Sequence, residues 1–336
     1  MKNLRFWVFI ILTALTIPYT YGGCAGGGSG GDASDEITYS GITNPAQINE
    51  TNAEDITAGA FSAGLVGDGV MGLSLDQGST DYFIREFRTV KVPLILTDSL
   101  YQIDFTTSSV GDLQAAVHTE QDTINGNCGG SMSYSVTVND AQGTFNGRFT
   151  FLNYCNDGTT INGRTRFDGR INTATNEFIE AHFSFDNLSG GGFTLDGDLE
   201  IDFTLSPNLI TFNAYGQDTS SGKIYWIRDY SVSIDEYTGY VEIEMAGRFY
   251  HPDYGYVTLS TAAPFVLHDE DEWPTSGTLI VTGGSNSKAK ISAIDNLHCN
   301  IEADADGDDS YDWDSGTMAW DDIYRVKLAT SWFRHG

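Results

Sequence analysis

The chain has 336 residues and sets 46 acidic side chains against 17 basic ones, a net charge of −29 with His neutral. Nucleic acid and anionic lipid are poor partners for a surface of that sign. The 40% hydrophobic content, with 19 Phe, 17 Tyr and 6 Trp, is enough for a large core and excludes a disordered chain.

The first element is a leader. Lys2 and Arg5 precede an apolar run from Phe6 to Pro18, and Tyr21-Gly22-Gly23-Cys24 follows, which is the basic, apolar and small-residue order of a secretory signal. The run is shorter than the roughly 20 residues that a spanning helix needs. The stretch resembles a bacterial lipoprotein signal, with Tyr21 standing where that signal usually has Leu. The resemblance implies removal of residues 1–23 and lipid on Cys24, which anchors the protein to a membrane. Ordinary secretion with cleavage near Gly23 is the other reading. Residues 24–38 form a flexible tether, opening with Ala25 and the Gly/Ser run to Gly31. In the sorting scheme of enteric lipoproteins, Ala25 in place of Asp implies the outer membrane. Without Lys2 and Arg5 the basic residues fall to 15, for a mature charge of about −31.

Asn52 is placed to cap a short helix over Ala53–Phe61, with Glu54 and Asp55 in its first turn and Ile56, Ala60 and Phe61 on one side. From about residue 90 onward the pattern has period two. The clearest run alternates Phe193, Leu195, Gly197, Leu199, Ile201 and Phe203 with Thr194, Asp196, Asp198, Glu200, Asp202 and Thr204. Such a strand has one buried face and one wet face. Ile161 to Asp168 and Val241 to Phe249 repeat the pattern, with Arg164 and Arg166 on a wet face. Turn clusters separate the runs. The expected fold is all-β: an antiparallel meander, either a curved sheet or an up-and-down barrel, with one short N-terminal helix. Trp273-Pro274 marks a boundary between a main domain at 39–272 and a small C-terminal β unit at 273–336.

The cysteines test the register. If Asn139 and Thr144 close the loop Asp140-Ala141-Gln142-Gly143, then Val138 pairs with Phe145, Val136 with Gly147, Tyr134 with Phe149 and Met132 with Phe151. Extending the ladder sets Cys128 opposite Cys155 on the apolar side, and a one-residue slip would ruin both matches. A Cys128–Cys155 disulfide is expected, in keeping with an oxidising compartment. Two buried free thiols are the alternative. Cys299 is left as a buried strand thiol.

Asp304, Asp306, Asp308 and Asp312 form the other chemical candidate, because hard cations take several oxygens from one tight loop. The stretch resembles the first half of an EF-hand-like calcium loop. Asp309 stands where that loop has its turn Gly, and Ser315 where it has a bidentate Glu. An acidic turn without calcium is the plain reading. Catalytic signals are weak. Gly27-Gly28-Ser29-Gly30-Gly31 spells a nucleophile elbow but lies in the tether, the six His are scattered, and paired carboxylates have no specificity among 46 acids.

Tyr39-Ser40-Gly41 through Glu54, Cys128-Gly129-Gly130 through Cys155, and Pro274-Thr275-Ser276-Gly277 through Trp320 together resemble a group of β-rich bacterial envelope lipoproteins of unassigned function. The resemblance brings no activity with it. The expectation is an outer-membrane-anchored lipoprotein acting as a binding or structural module, with an envelope protein or glycan as partner, calcium as an optional aid and no nucleic acid. A lipid-tethered, carboxylate-dependent hydrolase is the alternative, and a membrane-inserted barrel is a third reading that the acidic polar faces disfavour.

Overall fold

In the computed structural model the described residues are 37–68, 92–103, 117–156, 159–175, 177–190, 192–205, 207–269 and 271–323. Cys24, the signal and all of the tether before residue 37 lie outside them. Two helices come first, α1 (Ala53–Asp68) and α2 (Val92–Tyr101). Then follow β1 (Val117–Asn125), β2 (Gly129–Asn139), β3 (Thr144–Asn156), β4 (Thr159–Ile171) and β5 (Phe178–Gly190). Next come β6 (Phe193–Asp202), β7 (Asn208–Asp218), β8 (Ile224–Tyr237), β9 (Tyr240–His251) and β10 (Gly255–His268). The last are β11 (Ser276–Thr282), β12 (Lys288–Ala293), β13 (His298–Asp304), β14 (Trp313–Asp314) and β15 (Met318–Ala319).

The strands form one antiparallel sheet in chain order from β1 to β14, and β15 also pairs with β13. No ladder joins β1 to the last strands among the described residues, so the meander is an open sheet and not a closed barrel. The expected boundary near Trp273 does not interrupt it. Thr258 to Val266 on β10 pair with Thr282 to Ser276 on β11, which carries the ladder straight into the C-terminal strands. Trp273 itself is buried and stacks on Trp320 at 5.6 Å.

Alternation sends one set of side chains inward. Phe149, Phe167, Phe183, Leu199 and Phe212 are all buried, and Phe149 stacks on Phe167 at 4.4 Å. The helix α1 packs on the inner face of β7 to β13. Ala53, Ile56, Ala58, Ala60, Phe61 and Ala63 are all buried, and the four alanines let strands approach closely a helix that has little wet face of its own.

Three details differ from the sequence reading. The first helix is longer than expected, and the side chain of Asn52 does not cap it. Its Oδ1 instead accepts from the Asn49 N–H (2.9 Å) and its Nδ2 donates to the Gln47 carbonyl (3.0 Å), which fixes the turn that leads into α1. Residues 92–101 are helical and not part of the period-two region. Pro93 is tolerated in a first turn, and Ile95, Leu96 and Leu100 are buried at helical spacing.

The third difference is a repeated bulge. Asn153, Asn187 and Asp229 adopt left-handed φ values of 46°, 53° and 49° inside strands. Each N–H that the bulge frees is accepted by a side-chain oxygen from the next or the previous strand: Asn162 for Asn153 (2.6 Å), Asp196 for Asn187, and Asn213 for Asp229 (2.8 Å). Glycine permits the close approach this needs, since a Cβ on Gly130 would sit 1.8 Å from the Asn153 carbonyl oxygen. Such bulges bend and twist the strands locally.

The segment ahead of α1 crosses the outer face. Ile37 N–H donates to Asp196 Oδ2 on β6 (2.8 Å), and Ile42 N–H donates to the Pro252 carbonyl (3.1 Å). Between them Tyr39 rests on Trp226 and Tyr250, each ring 5.8 Å away. Those two belong to a ladder of directly opposed aromatic residues, Tyr215, Trp226, Tyr250 and Tyr256, across β7 to β10. Burial, with help from Tyr250 and Asp253, pushes the Tyr39 phenol up to about 12, and its one hydroxyl proton is shared between the Ile42 and His251 carbonyls (2.9 and 3.1 Å).

Candidate functional site

The acidic loop begins where β13 ends. Asp304 is fully buried, and Lys288 on β12 lies directly opposite it in the ladder. Asp304 Oδ1 accepts from Gly307 N–H (2.7 Å) and Asp308 N–H (3.2 Å), while Oδ2 accepts from Asp309 N–H (3.0 Å). A carboxylate at the head of a short loop thus ties down three donors that would otherwise be orphaned. Asp309 takes φ 69°, the left-handed conformation that a glycine would supply at that turn.

Asp304, Asp306 and Asp308 bring one ligand oxygen each within 4.8 Å of one another. Asp306 and Asp308 are exposed, and Asp308 N–H also donates to Asp306 Oδ1 (3.3 Å). Asp312 is not part of the group. It is exposed, just ahead of β14, so of the four aspartates expected from the spacing the structure brings together only the first three. Ser315 has a structural use, accepting the Ile301 N–H at 3.0 Å.

The loop does not face its own charge alone. Lys288 Nζ donates to Asp309 Oδ1, and that hydrogen bond is the main reason the lysine is held above its usual range. Lys290 lies 2.9 Å from Glu302 Oε2 and over the Tyr311 ring at 4.3 Å. Three carboxylates with a buried anchor can hold a hard cation, but two lysines at the base reduce the field it would feel.

The two cysteine expectations meet different outcomes in detail. Cys128 and Cys155 are joined by a disulfide with Cα atoms 5.1 Å apart. The register from Asn139–Thr144 to Ser131–Leu152 is the one expected, but the bulge at Asn153 then shifts it by one and sets Gly129 opposite Cys155. The bridge therefore sits at the strand ends with Cys128 exposed, and Tyr154 takes the apolar side. Cys299 is a free thiol on β13, fully buried, and burial above all pushes it up to about 12. It is poorly suited to nucleophilic work, which needs thiolate.

Two outer-face groupings were not singled out from the sequence. His182 on β5 lies between Asp168 on β4 (3.2 Å from Nδ1) and Asp198 on β6 (3.5 Å from Nε2). Arg148 on β3 lies directly opposite Arg166 on β4, and Arg164 is two residues further along the same strand. Both depend on which strands become neighbours. No protein family, curated protein or solved structure matches the chain.

Proposed function

We propose that this chain is a lipoprotein of the bacterial outer membrane, anchored through Cys24, whose sheet serves as a binding or structural module at the cell envelope. The observation that carries the reading is the order of Lys2 and Arg5, the apolar run and Gly22-Gly23-Cys24, followed by the Gly/Ser run. The Cys128–Cys155 bridge agrees with a compartment in which disulfides persist. Two acyl chains at a cysteine hold a protein to a bilayer where a single chain would exchange. Membrane fractionation tests the proposal. The wild type should sediment with membranes and yield an acylated N-terminal peptide by mass spectrometry, and Cys24→Ala should move the protein to the soluble fraction. A soluble wild type without acylation would remove the anchor from the reading.

Calcium enters the proposal as an aid to the module, held by Asp304, Asp306 and Asp308. Native-state binding stabilises by about 2.7 kcal/mol at a hundredfold excess over the dissociation constant. Millimolar calcium should therefore raise the melting temperature more than sodium at matched ionic strength, and Asp306→Ala with Asp308→Ala should remove the difference. Asp304 is left intact in that variant because its buried carboxylate shapes the loop. An equal rise in both proteins would mean general screening of the net charge.

A further inference from the structure

The geometry points to an acidic-glycan site on the outer face of β1 to β4, built on Arg148, Arg164 and Arg166. Nine lysines and arginines fall among the described residues. Five have a carboxylate oxygen within 4.0 Å: Arg170, Lys223, Arg228, Lys288 and Lys290. Of the other four, Arg248 lies over the Tyr256 ring. The remaining three are Arg148, Arg164 and Arg166, all exposed and all on two adjacent strands. Asp186, which the register places opposite Arg164, is instead hydrogen-bonded by the amide of its neighbour Asn187 (3.1 Å).

Arg148 and Arg166 face each other directly, an arrangement that is unfavourable for like charges in a sheet. In a chain of net charge −29 acidic partners are abundant, yet these guanidinium groups have none among the described residues. An oxyanion shared between them turns the repulsion into paired, charge-assisted hydrogen bonds, for which the planar guanidinium is well shaped.

The neighbouring surface narrows the ligand. The groove at Arg148 is lined by Gln121, Thr123, Ser133, Ser135 and Thr150, with the opposed pair Asp122 and Tyr134 between them on β1 and β2. In the ladder Ser135 stands opposite Arg148 and Thr150 opposite Arg164. These hydroxyl and amide groups both donate and accept, which suits the hydroxyls of a sugar lying next to its own carboxylate or sulfate. Nucleic acid fits less well, because its affinity comes from many phosphates over a broad positive field, and here acids surround three arginines. An anionic bilayer would meet acids on the same face, among them Asp168 two residues beyond Arg166 and Asp186 opposite Arg164.

The inference names a ligand class for the binding module proposed above, but it does not need the lipid anchor. The full chain, in neutral detergent at 0.15 M salt, is titrated by calorimetry with polygalacturonate, neutral dextran and a single-stranded DNA of equal charge. At that salt the acids further than about 8 Å from the site are screened. The wild type should bind polygalacturonate at least tenfold more tightly than DNA and should not bind dextran. Arg148→Ser with Arg164→Thr and Arg166→Ser should weaken binding at least tenfold, with Arg166→Gln intermediate and Arg248→Ser unchanged. The triple variant should melt no lower than the wild type, since it removes a like-charge contact. Absence of polygalacturonate binding, equal binding by the triple variant, an equal loss in Arg248→Ser, or DNA binding as tight as glycan would each overturn the assignment. A failure here with membrane attachment intact would sink the glycan site and leave the anchored module standing.

Discussion

Trp320→Ala should lower the stability of the fold by roughly 3–5 kcal/mol, the range for removing a large buried aromatic side chain. Trp320 is fully buried, with its ring between Phe61 of α1 at 5.3 Å and Trp273 at 5.6 Å. Its indole N–H donates to the Asp295 carbonyl at 3.1 Å, and its backbone N–H donates to the Leu297 carbonyl at 3.0 Å. One side chain thus joins the first helix, the segment after β10 and the turn between β12 and β13. Trp320→Phe keeps the stacking and loses the indole donor, so its cost should be smaller, about 1–3 kcal/mol. Urea denaturation followed by circular dichroism measures both. A single transition that shifts as a whole is expected, because the sheet is continuous from β10 to β11. Two transitions, with only the smaller one shifted, would show that residues 273–336 fold separately.

Removing the disulfide should cost a similar amount by a different route. Cys128 and Cys155 are 27 residues apart, and closing a loop of that size restricts the unfolded chain by roughly 3–4 kcal/mol. Cys128→Ser with Cys155→Ser should lower the denaturation midpoint accordingly, with the native contacts of β2 and β3 largely kept. Peptide mapping without reductant should recover Cys128 linked to Cys155. Cys299 should react with an alkylating agent only after unfolding, because it is buried and burial holds its thiol far above neutral pH. A bridge from Cys299 to either partner, or fast alkylation of the native protein, would contradict the structure.

The strands were legible because alternation reports directly which face of a sheet is wet. The hairpin of β2 and β3 shows how far this reaches: the pairs from Asn139–Thr144 to Ser131–Leu152 follow from the sequence alone, and the disulfide with them. The register fails at Asn153. A residue in left-handed conformation there is supported by Asn162 from the neighbouring strand and by the absence of a side chain on Gly130, and no local pattern announces such a partnership. The helix α2 was missed for another reason. Val92 to Tyr101 is a short apolar run, and runs of that length suit a buried strand or a buried helix equally well. In the acidic loop, spacing identified the three aspartates that converge but not the exclusion of Asp312. Nor did it show that Lys288 would face Asp304 across the ladder. The arginine group was half visible, since Arg164 and Arg166 belong to one wet face, but only the pairing of β3 with β4 brings Arg148 to them.

The crossing segment from Ile37 to Ile42 determines how the fold meets a mechanical load. A pull on the chain ahead of Ile37 acts first on Asp196 of β6, then on the rings of Trp226 and Tyr250, then on the Pro252 carbonyl, and only afterwards on α1. Asp196, Trp226 and Tyr250 are on β6, β8 and β9, strands in the middle of the sheet with partners on both sides, and Pro252 is in the turn between β9 and β10. Sheets open most readily when one edge strand is peeled away and its hydrogen bonds break in succession. Here tension is delivered away from either edge, so several strands share it before any ladder can unzip.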